Sequence, residues 1–333
     1  MSMQNSFSPL ARSQRPLRTV LIATSLGGES EQVVRAGLAV ARRTGARVVL
    51  VHALHHEPLP AAFGAGALLE REQIACGAEE LARQAARLGL KSPELAASIA
   101  RVGAPHRVLS ATARQLGADL IVVGATGSGP LAAELLGSTA DRVLRQAFCP
   151  VLIVRGELAV PPRRVLAAVD LSTLSGDAFR CGLHLLSQIA GRAETGVRAV
   201  YALSFLDAVT KRSRPGGPPL AEAEKSAAAE LRRFVLENRP DASFPVDTAV
   251  LPGDARMEIL AELKEHPADL LLLGTHGHGG MDRLVIGSVA STVVRKAPCS
   301  VLVVSPEAAL AEGIAEAIIA QTEPSWHGGA AHP

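Results

Sequence analysis

The chain has 333 residues, of which 48% are hydrophobic and 20% are charged, a composition typical of a folded protein with enough apolar material for two domains. Its net charge is +2 and its aromatic content is 3%, which argues against a basic, base-stacking surface for nucleic acid. No apolar run approaches the ~18 residues of a membrane span, and the N-terminal segment lacks the apolar stretch of a signal peptide. We therefore expect a cytoplasmic protein that binds neither nucleic acid nor membrane.

The first half of the chain alternates short apolar runs with stretches of helical periodicity. In chain order the predicted elements are a strand at 19–24, a helix at 29–44, a strand at 47–53, a helix at 68–88, a strand at 95–102, a helix at 105–116, a strand at 120–123, a helix at 139–148 and a strand at 151–154. The strands lack an alternation of apolar and polar residues, so both of their faces are predicted to be buried. This is typical of a parallel sheet between two layers of helices.

The second half repeats this order after a linker at 155–163 that contains a pair of prolines. Its predicted elements are a strand at 164–169, a helix at 178–190, a strand at 197–202, a helix at 220–236, a strand at 244–250, a helix at 256–264, a strand at 270–273, a helix at 289–296 and a strand at 300–304. Right-handed crossovers then predict two doubly wound α/β domains, at 17–155 and 163–306, each with a five-stranded parallel sheet. Residues 1–16 and 322–333 are predicted to be disordered tails, and 307–321 are compatible with a further helix.

An internal repeat supports this division. The segments that start at Ala118 and Ala268 align without a gap at an offset of 150 residues, and Gly103 and Gly253 share that offset. Near the start of each domain the offset is 145, so that V-L-I-A-T-S aligns with V-L-A-A-V-D. The chain is therefore predicted to consist of two copies of one domain.

A loop with the pattern Gly-x2-Gly-x9-Gly-Ser follows the fourth strand of each copy. Its residues are Gly124, Gly127, Gly137 and Ser138 in the first copy, and Gly274, Gly277, Gly287 and Ser288 in the second. Glycines let the backbone approach an anion, and the N–H groups that open the following helix favour phosphate. The pattern predicts a phosphate cradle, although it lacks the lysine of a Walker P-loop. The alternative is that these glycines only end strands and cap helices.

The second loop, G-T-H-G-H-G-G followed after six residues by G-S-V-A-S-T-V-V-R-K, together with V-L-A-A-V-D-L-S at the domain start, resembles the universal stress protein family. The resemblance covers nearly the whole chain as a tandem pair. It implies two domains of the adenine nucleotide alpha hydrolase-like fold, ATP and Mg²⁺ in the glycine loop, and an aspartate at the end of the first strand that contacts the adenosine part. The nucleotide-binding residues carried over by position are Asp170, Ala202, Leu273, Gly274, His276, Gly277, Gly287, Ser288 and Val289 in the second domain, and Ser25, Ala53, Val123, Gly124, Thr126, Gly127, Gly137, Ser138 and Thr139 in the first.

The two copies differ at the position of that aspartate. The second copy has Asp170, whereas the first copy has Ser25. A serine hydroxyl still forms hydrogen bonds to a ribose or a base edge, but it lacks the charge and the two oxygens of a carboxylate. We therefore expect the second site to bind nucleotide more tightly, and the sequence leaves open whether the first site binds one.

Two further patterns lie near these loops. Residues 25–30, S-L-G-G-E-S, resemble the SGGxDS loop of pyrophosphatases with the glycines displaced by one, and a Gly-Gly turn into a helix capped near Ser30 is the favoured interpretation. His276 and His278 flank Gly277, where an imidazole either meets a phosphate or is simply exposed. Neither pattern defines a catalytic residue.

Metal ligation is weakly indicated. His52, His55, His56 and Glu57 are of metal-ligating types, but a strand places His52 and His56 on one face and His55 on the other. The four cysteines of the chain are scattered and include no CxxC pair. We interpret the histidines as a solvated strand end and predict no protein-bound metal site.

The leading functional hypothesis is an ATP-binding stress-response regulator whose partners respond to the nucleotide-bound state. An ATPase or phosphotransfer enzyme is an alternative, but the loop supplies no evident general base, so its turnover would be slow. A nucleotide-free scaffold is the third hypothesis, and the two intact glycine loops argue against it. The resemblance also implies pairing through the last strands of the two domains, 151–154 and 300–304, either within the chain as a pseudo-dimer or between chains as a homodimer.

Overall fold

A computed structural model describes residues 16–54, 66–125, 136–190, 195–204, 220–239, 244–275, 286–305 and 308. Over this part of the chain, ten strands alternate with eight helices. The predicted tails and the helix proposed at 307–321 lie outside the described residues, apart from Pro16 and Ala308. No helix in the described ranges combines the length and the apolar character that a bilayer crossing requires.

The first half of the chain holds five strands and four helices. The strands are β1 (Thr19–Ala23), β2 (Arg47–Leu54), β3 (Leu95–Val102), β4 (Leu120–Gly124) and β5 (Val151–Val154). The helices are α1 (Gly28–Thr44), α2 (Gly66–Arg87), α3 (Pro105–Leu116) and α4 (Ser138–Gln146). Helix α1 ends at Gly45, which adopts the left-handed backbone conformation with φ 70°.

The second half repeats the order of the first. Its strands are β6 (Arg164–Val169), β7 (Gly196–Leu203), β8 (Val246–Pro252), β9 (Leu270–Gly274) and β10 (Ser300–Val304). Its helices are α5 (Thr173–Ile189), α6 (Leu220–Asn238), α7 (Ala255–Glu265) and α8 (Ser288–Lys296). Helix α5 begins five residues before the predicted start at 178, because the side chain of Ser172 caps it by accepting a hydrogen bond from the Ser175 N–H.

The strands form one sheet in the order β3-β2-β1-β4-β5-β10-β9-β6-β7-β8. Pairing is parallel within each half, and the two halves join where β5 and β10 run antiparallel, with Leu152 opposite Leu302. The predicted doubly wound α/β fold is confirmed, and so is the pairing of the last strands within the chain. The two five-stranded sheets are continuous rather than separate.

Each face of the sheet is covered by helices from both halves. Along β1, Val20 and Ile22 contribute to one hydrophobic cluster and Leu21 contributes to the other, because successive side chains point to opposite faces. Helices α1, α2, α5 and α6 add residues to the first cluster, and α3, α4, α7 and α8 add residues to the second. Both clusters run across the β5–β10 junction, so the two halves share a continuous core.

Candidate functional site

The order of strands leaves a crevice at the carboxyl end of β1 in the first half. Strand β1 lies between β2 and β4, so the connections that follow β1 and β4 leave toward opposite faces of the sheet. Doubly wound sheets bind ligands at such a reversal of strand order. A cavity of about 530 Å³ opens here, which is large enough for a small-molecule ligand.

The cavity gathers the ends of four strands and the starts of three helices. It is lined by the carboxyl ends of β1, β2 and β4, by residues that follow β5, and by the first turns of α1, α3 and α4. The predicted site residues of the first domain that line it are Ser25, Ala53, Val123, Gly124, Gly137, Ser138 and Thr139. Thr126 and Gly127 lie outside the described residues, and ligand contact by any member of the set stays a prediction.

The start of α4 is the part of the cavity wall best suited to an anion. Gly137 is the N-cap of α4, no side chain caps the helix, and the first intrahelical hydrogen bond runs from Asp141 N to Gly137 O at 3.0 Å. The backbone N–H groups of residues 138–140 therefore precede the first hydrogen bond of the helix and carry the positive end of its dipole. A phosphate at this point has both donors and a favourable field.

The second half has the same arrangement at the start of α8. Gly287 is an N-cap without a side-chain cap, and Ser291 N donates to Gly287 O at 2.9 Å. In both halves the N-cap glycine also donates back to the residue after the fourth strand, from Gly137 N to Ala125 O at 2.7 Å and from Gly287 N to Thr275 O at 2.8 Å. The two ends of each glycine loop are thus held together by the same hydrogen bond.

The predicted site residues of the second domain take equivalent positions. Asp170 follows β6, Ala202 lies near the end of β7, Leu273 and Gly274 end β9, and Gly287, Ser288 and Val289 open α8. His276 and Gly277 lie outside the described residues, as does His278. Because β6 lies between β7 and β9, these strand ends meet at the second reversal of strand order.

Asp170 is held by the turn into α5. Its Oδ1 accepts hydrogen bonds from Ser172 N at 3.0 Å and from Ser172 Oγ at 2.6 Å, and its own N–H donates to Ser175 Oγ at 3.2 Å. The following residue, Leu171, has φ 65°, and its counterpart Leu26 in the first half has φ 67°. The backbone turn after the first strand is therefore the same in both halves, although the residue before it differs.

A buried polar network stands behind Ser25 in the first half. Thr24 Oγ1 lies 2.9 Å from Ser30 Oγ and donates to Gln84 Oε1 at 2.9 Å, and His52 Nδ1 lies 2.9 Å from Thr24 O. Thr24, Ser30 and His52 line the cavity. The equivalent positions of Thr24, His52 and Gln84 in the second half hold Val169, Tyr201 and Phe234, so this wall is polar in the first half and largely apolar in the second.

Several cavity residues were not predicted as ligand contacts. Glu29 and Gln32 enter the wall from the first turns of α1, and Arg155 enters it directly after β5, where the sequence suggested only a linker. Arg155 is half-buried, its Nη2 donates to Arg295 O at 3.2 Å, and burial lowers the pKa of its guanidinium. An alignment of the two halves shows the positions of Glu29 and Arg155 as charged in the first half only, but their meeting in one cavity depends on the fold.

The weaker sequence patterns have different outcomes. His52 is half-buried on the cavity wall, and its Nδ1 lies 2.9 Å from the Thr24 carbonyl oxygen. Helix α1 begins at Gly28, and Ser30 lies in its first turn, where its Oγ donates to Gly27 O at 2.6 Å. Among the described residues, no group of His, Cys, Asp and Glu side chains is arranged to hold a metal ion. His55, His56 and Glu57 lie outside these residues.

These features define a class of protein, namely a duplicated, doubly wound α/β protein with an anion-favouring helix start at each reversal of strand order. The sequence model of the universal stress protein family matches residues 16–155 and 162–305. The chain therefore belongs to the universal stress protein family, as a tandem two-domain member of this stress-response family.

Individual relatives agree with this assignment. A universal stress protein of Mycobacterium tuberculosis is 31% identical over 186 residues, which span 55% of this chain and 60% of the relative. One from Methanocaldococcus jannaschii is 27% identical over 142 residues, which span 43% of this chain and 81% of the relative. The match thus spans about 60% of the length of the mycobacterial relatives.

Solved structures share the fold over almost the whole length. A universal stress protein from Archaeoglobus fulgidus superposes with a TM-score of 0.59 at 19% identity, and the match covers 86% of this chain and 98% of that one. A protein of unknown function from Pseudomonas aeruginosa superposes with a TM-score of 0.58 at 20% identity, covering 94% of this chain and 99% of that one. At these identities the likeness shows the fold alone.

Proposed function

We propose that this chain is an ATP-binding regulatory protein with one nucleotide site in each half. The observation that carries the proposal is the start of α4 and of α8, where an uncapped glycine N-cap opens a helix onto the crevice at a reversal of strand order. Such a helix start supplies backbone donors and a positive field for phosphate. One such arrangement in each half, at the end of a glycine loop, supports one phosphate-bearing ligand per half.

The opposite side of each crevice suits the nucleoside half of the ligand. In the first half, the cavity extends from the start of α4 to Ser25 and Ala53 at the ends of β1 and β2. In the second half, Asp170 stands at the end of β6 and presents a carboxylate where a ribose or base donor would lie. We expect the second site to bind ATP about tenfold to a hundredfold more tightly, since a charge-assisted hydrogen bond contributes roughly 1.5–3 kcal/mol.

Mg²⁺ enters this proposal with the nucleotide. The described residues contain no acidic cage for a cation. Mg²⁺ commonly binds phosphate oxygens and retains several waters, so the triphosphate itself fits as its main ligand. The hydroxyls of Ser138 and Ser288, at the first position of α4 and α8, are the protein groups best placed beside such a complex. Once bound, the cation would neutralise part of the phosphate charge.

Binding rather than rapid hydrolysis is the expected activity. The charged side chains on the described wall of the first cavity are Glu29 and Arg155, and the Nδ1 of His52 bonds to the Thr24 carbonyl. Arg155 stays protonated and His52 Nδ1 is held by the backbone, so the described wall offers one carboxylate, Glu29, and no acid–base pair for activating a water. We expect ATP turnover far below the ~10 s⁻¹ typical of enzymes. Steady-state release of phosphate from purified protein measures it, and turnover near that typical rate would favour the enzyme alternative.

The test of the proposal removes one helix start at a time. A Cβ at Gly287 would lie 3.3 Å from the Thr275 carbonyl oxygen, so Gly287→Val crowds the loop closure and places a branched side chain where the phosphate would bind. We expect this change to weaken ATP binding at the second site about a hundredfold, which corresponds to ~2.7 kcal/mol, and Gly137→Val to act likewise on the first site.

Equilibrium dialysis of ligand-stripped protein with ATP and Mg²⁺ counts the sites that remain. Gly28→Ala is the matched control, because a Cβ there meets no atom within 4 Å and Gly28 is not part of the cavity wall. Circular dichroism checks that each variant is folded. Full binding by both folded valine variants would refute the proposed sites.

A further inference from the structure

The first cavity holds two charged side chains whose equivalents in the second half are uncharged. Glu29 lies in the first turn of α1, and its counterpart in α5 is Leu174. Arg155 follows β5, and its counterpart after β10 is Ser305. The cavity thus has a carboxylate beside β1 and a guanidinium two strands away, beside β5. This polarity matches a ligand that has hydrogen-bond donors at one end and anionic groups at the other.

Glu29 is available for a ligand, unlike its neighbour on the same helix. Glu31 forms ion pairs with Arg35 at 3.5 Å and with Arg87 at 3.7 Å. Glu29 is exposed at the cavity wall, and among the described residues it takes part in no ion pair or hydrogen bond. Its carboxylate oxygens therefore retain their full capacity to accept hydrogen bonds.

The end of β1 does not itself supply a carboxylate. Ser25 is exposed and neutral, and the Thr24–Ser30–Gln84 network beside it consists of uncharged hydroxyl and amide groups. An exposed serine hydroxyl gives a ligand one short, neutral acceptor, whereas Asp170 gives the second site a charged acceptor with two oxygens. In the first half, the nearest carboxylate on the described cavity wall comes from the helix that follows the strand.

We propose that Glu29 is the nucleoside-recognising acid of the first site, taking over part of the role that Asp170 has in the second. Its carboxylate accepts a hydrogen bond from a donor of the nucleoside half, either a ribose hydroxyl or the exocyclic amine of the base. The inference rests on the proposed nucleotide binding and deepens it, because it assigns the specificity of one of the two sites. Arg155 then lies on the side of the cavity that faces the phosphates.

A purely structural role for Glu29 makes a different prediction. An acidic residue in the first turn of a helix stabilises the helix through its dipole, whether or not a ligand is bound. In that case Glu29→Gln would lower the midpoint of thermal unfolding without changing how the site distinguishes one nucleotide from another. Ligand discrimination therefore separates the two roles.

The experiment measures discrimination at the first site alone. Full-length protein carrying both Asp170→Ser and Gly287→Val provides the background, because the two expected effects together weaken the second site about a thousandfold or more. Glu29→Gln and Glu31→Gln are introduced into it separately. Each protein is stripped of ligand and titrated calorimetrically with ATP, with 2′,3′-dideoxy-ATP, which lacks the ribose hydroxyls, and with ITP, which lacks the exocyclic amine. We expect Glu29→Gln to weaken ATP binding about tenfold and to leave the binding of one of the two analogues unchanged, and we expect Glu31→Gln to have no effect.

The outcomes distinguish this inference from the function on which it rests. If Glu29→Gln leaves the binding of the dideoxy analogue unchanged, the partner of Glu29 is a ribose hydroxyl. If it leaves the binding of ITP unchanged, the partner is the exocyclic amine. If Glu29→Gln weakens ATP and both analogues equally, or weakens none of them, Glu29 does not recognise the nucleoside and only this inference is overturned. If the background protein binds no ATP while the wild-type protein binds one equivalent, the first site is not a nucleotide site. If neither protein binds ATP, the proposed function fails as well.

A transplant into the second site provides an independent check. Asp170→Ser gives the second half the neutral strand end of the first, and Leu174→Glu adds an acid at the position equivalent to Glu29. We expect the double variant to recover part of the ATP affinity that Asp170→Ser loses. Equal affinity of the single and double variants would show that an acid in this turn of the helix does not reach the nucleoside.

Discussion

The two halves of this chain have the same backbone conformation after their first strand but differ in the side chains there. The turn after β1 and the turn after β6 both place a leucine at φ near 65°, in Leu26 and Leu171. The residue before this turn is Ser25, which is neutral, in the first half and Asp170, which is hydrogen-bonded to Ser172 and Ser175, in the second. Duplication has therefore preserved the backbone of this turn, while the side chains at the two proposed nucleotide sites have diverged.

A second difference lies where a helix packs on the sheet away from the site. In the second half, Glu262 on α7 is buried and accepts a hydrogen bond from Arg198 Nε on β7 at 2.6 Å, and Arg198 also pairs with Asp247 on β8 at 2.5 Å. In the first half the position of Glu262 is taken by Thr112, whose Oγ1 is buried and has no hydrogen-bond partner among the described residues. The helix of the second half is thus joined to the sheet by a charged network, whereas the equivalent helix of the first half carries two buried hydroxyls without a described partner, Ser110 Oγ and Thr112 Oγ1.

The largest expected effect comes from exchanging the residues at the strand ends. Asp170→Ser removes a charged acceptor, so ATP binding at the second site should weaken about tenfold to a hundredfold. Ser25→Asp should strengthen the first site, although by less, because Glu29 already places a carboxylate in that cavity. Calorimetric titration of the two single variants measures both changes. Equal affinity of the two wild-type sites, unaffected by either substitution, would show that this position does not govern binding.

The next effect is on stability, and it distinguishes the contact of α7 with the sheet in the second half from the equivalent contact of α3 in the first. Glu262→Gln removes the buried one of the two carboxylates that pair with Arg198, and we expect the free energy of unfolding to fall by about 1–2 kcal/mol. This is less than the ~3–5 kcal/mol of a fully buried pair, because the Arg198 side chain is 34% exposed. Thr112→Val is the matched change in the first half. It removes the unsatisfied hydroxyl at nearly constant volume and should raise the free energy of unfolding by up to about 1 kcal/mol.

Chemical denaturation of both variants checks these signs. Because the halves share one core across the β5–β10 junction, we expect a single unfolding transition in each case. If Glu262→Gln raised the free energy of unfolding and Thr112→Val lowered it, this account of the two helix–sheet contacts would be contradicted.

The smallest expected effect depends on pH. Asp141 on α4 accepts hydrogen bonds from Arg145 Nε at 3.0 Å and from Arg295 Nη2 at 2.9 Å, and Arg295 lies on α8 in the other half. Burial opposes ionisation of this carboxyl, but the two arginines outweigh burial and leave its pKa below the ordinary value of 3.8. Since the pKa is lowered in the folded state, its stabilising contribution is present above pH ~4 and is lost as the pH falls through the folded-state pKa.

Asp141→Asn tests this dependence. The difference in free energy of unfolding between wild type and variant should be constant, at about 0.5–1 kcal/mol, from pH 7 to pH 5 and should shrink below pH ~4. Ser291→Ala, at the equivalent position of α8, is the control and should show no such dependence. A difference that grows as the pH falls would contradict the assignment.

Sequence patterns predict the fold well because the strands are continuous apolar runs buried on both faces, as in β4 and β9. They place the start of α5 five residues late, since the helix is extended by the side-chain cap from Ser172, a local hydrogen bond that periodicity does not reveal. Sequence patterns also predict that the strand-end and helix-start residues of each site lie together, because the glycine motif marks them and parallel strands end at the same edge of the sheet.

The missed part of the site depends on tertiary geometry. Glu29 and Arg155 lie far apart in sequence, one in the first turn of a helix and one in a predicted linker. The crevice at the carboxyl ends of the strands brings both side chains to the same cavity. The hydrogen bond between His52 Nδ1 and the Thr24 carbonyl likewise depends on the register of β1 and β2, which the sequence does not show. The parts of the glycine loops at 126–135 and 276–285 lie outside the described residues, so the roles of Thr126, Gly127, His276 and Gly277 stay predictions.

The most direct test of the central claim is a calorimetric titration of ligand-stripped, full-length wild-type protein with ATP in the presence of Mg²⁺. The proposed nucleotide site in each half, with its different strand-end residue, predicts two equivalents of ATP bound per chain, with dissociation constants that differ by about tenfold to a hundredfold. The weaker class should disappear in Gly137→Val and the tighter class in Gly287→Val. Absence of measurable ATP binding, or two equivalents bound with the same affinity, would contradict the account.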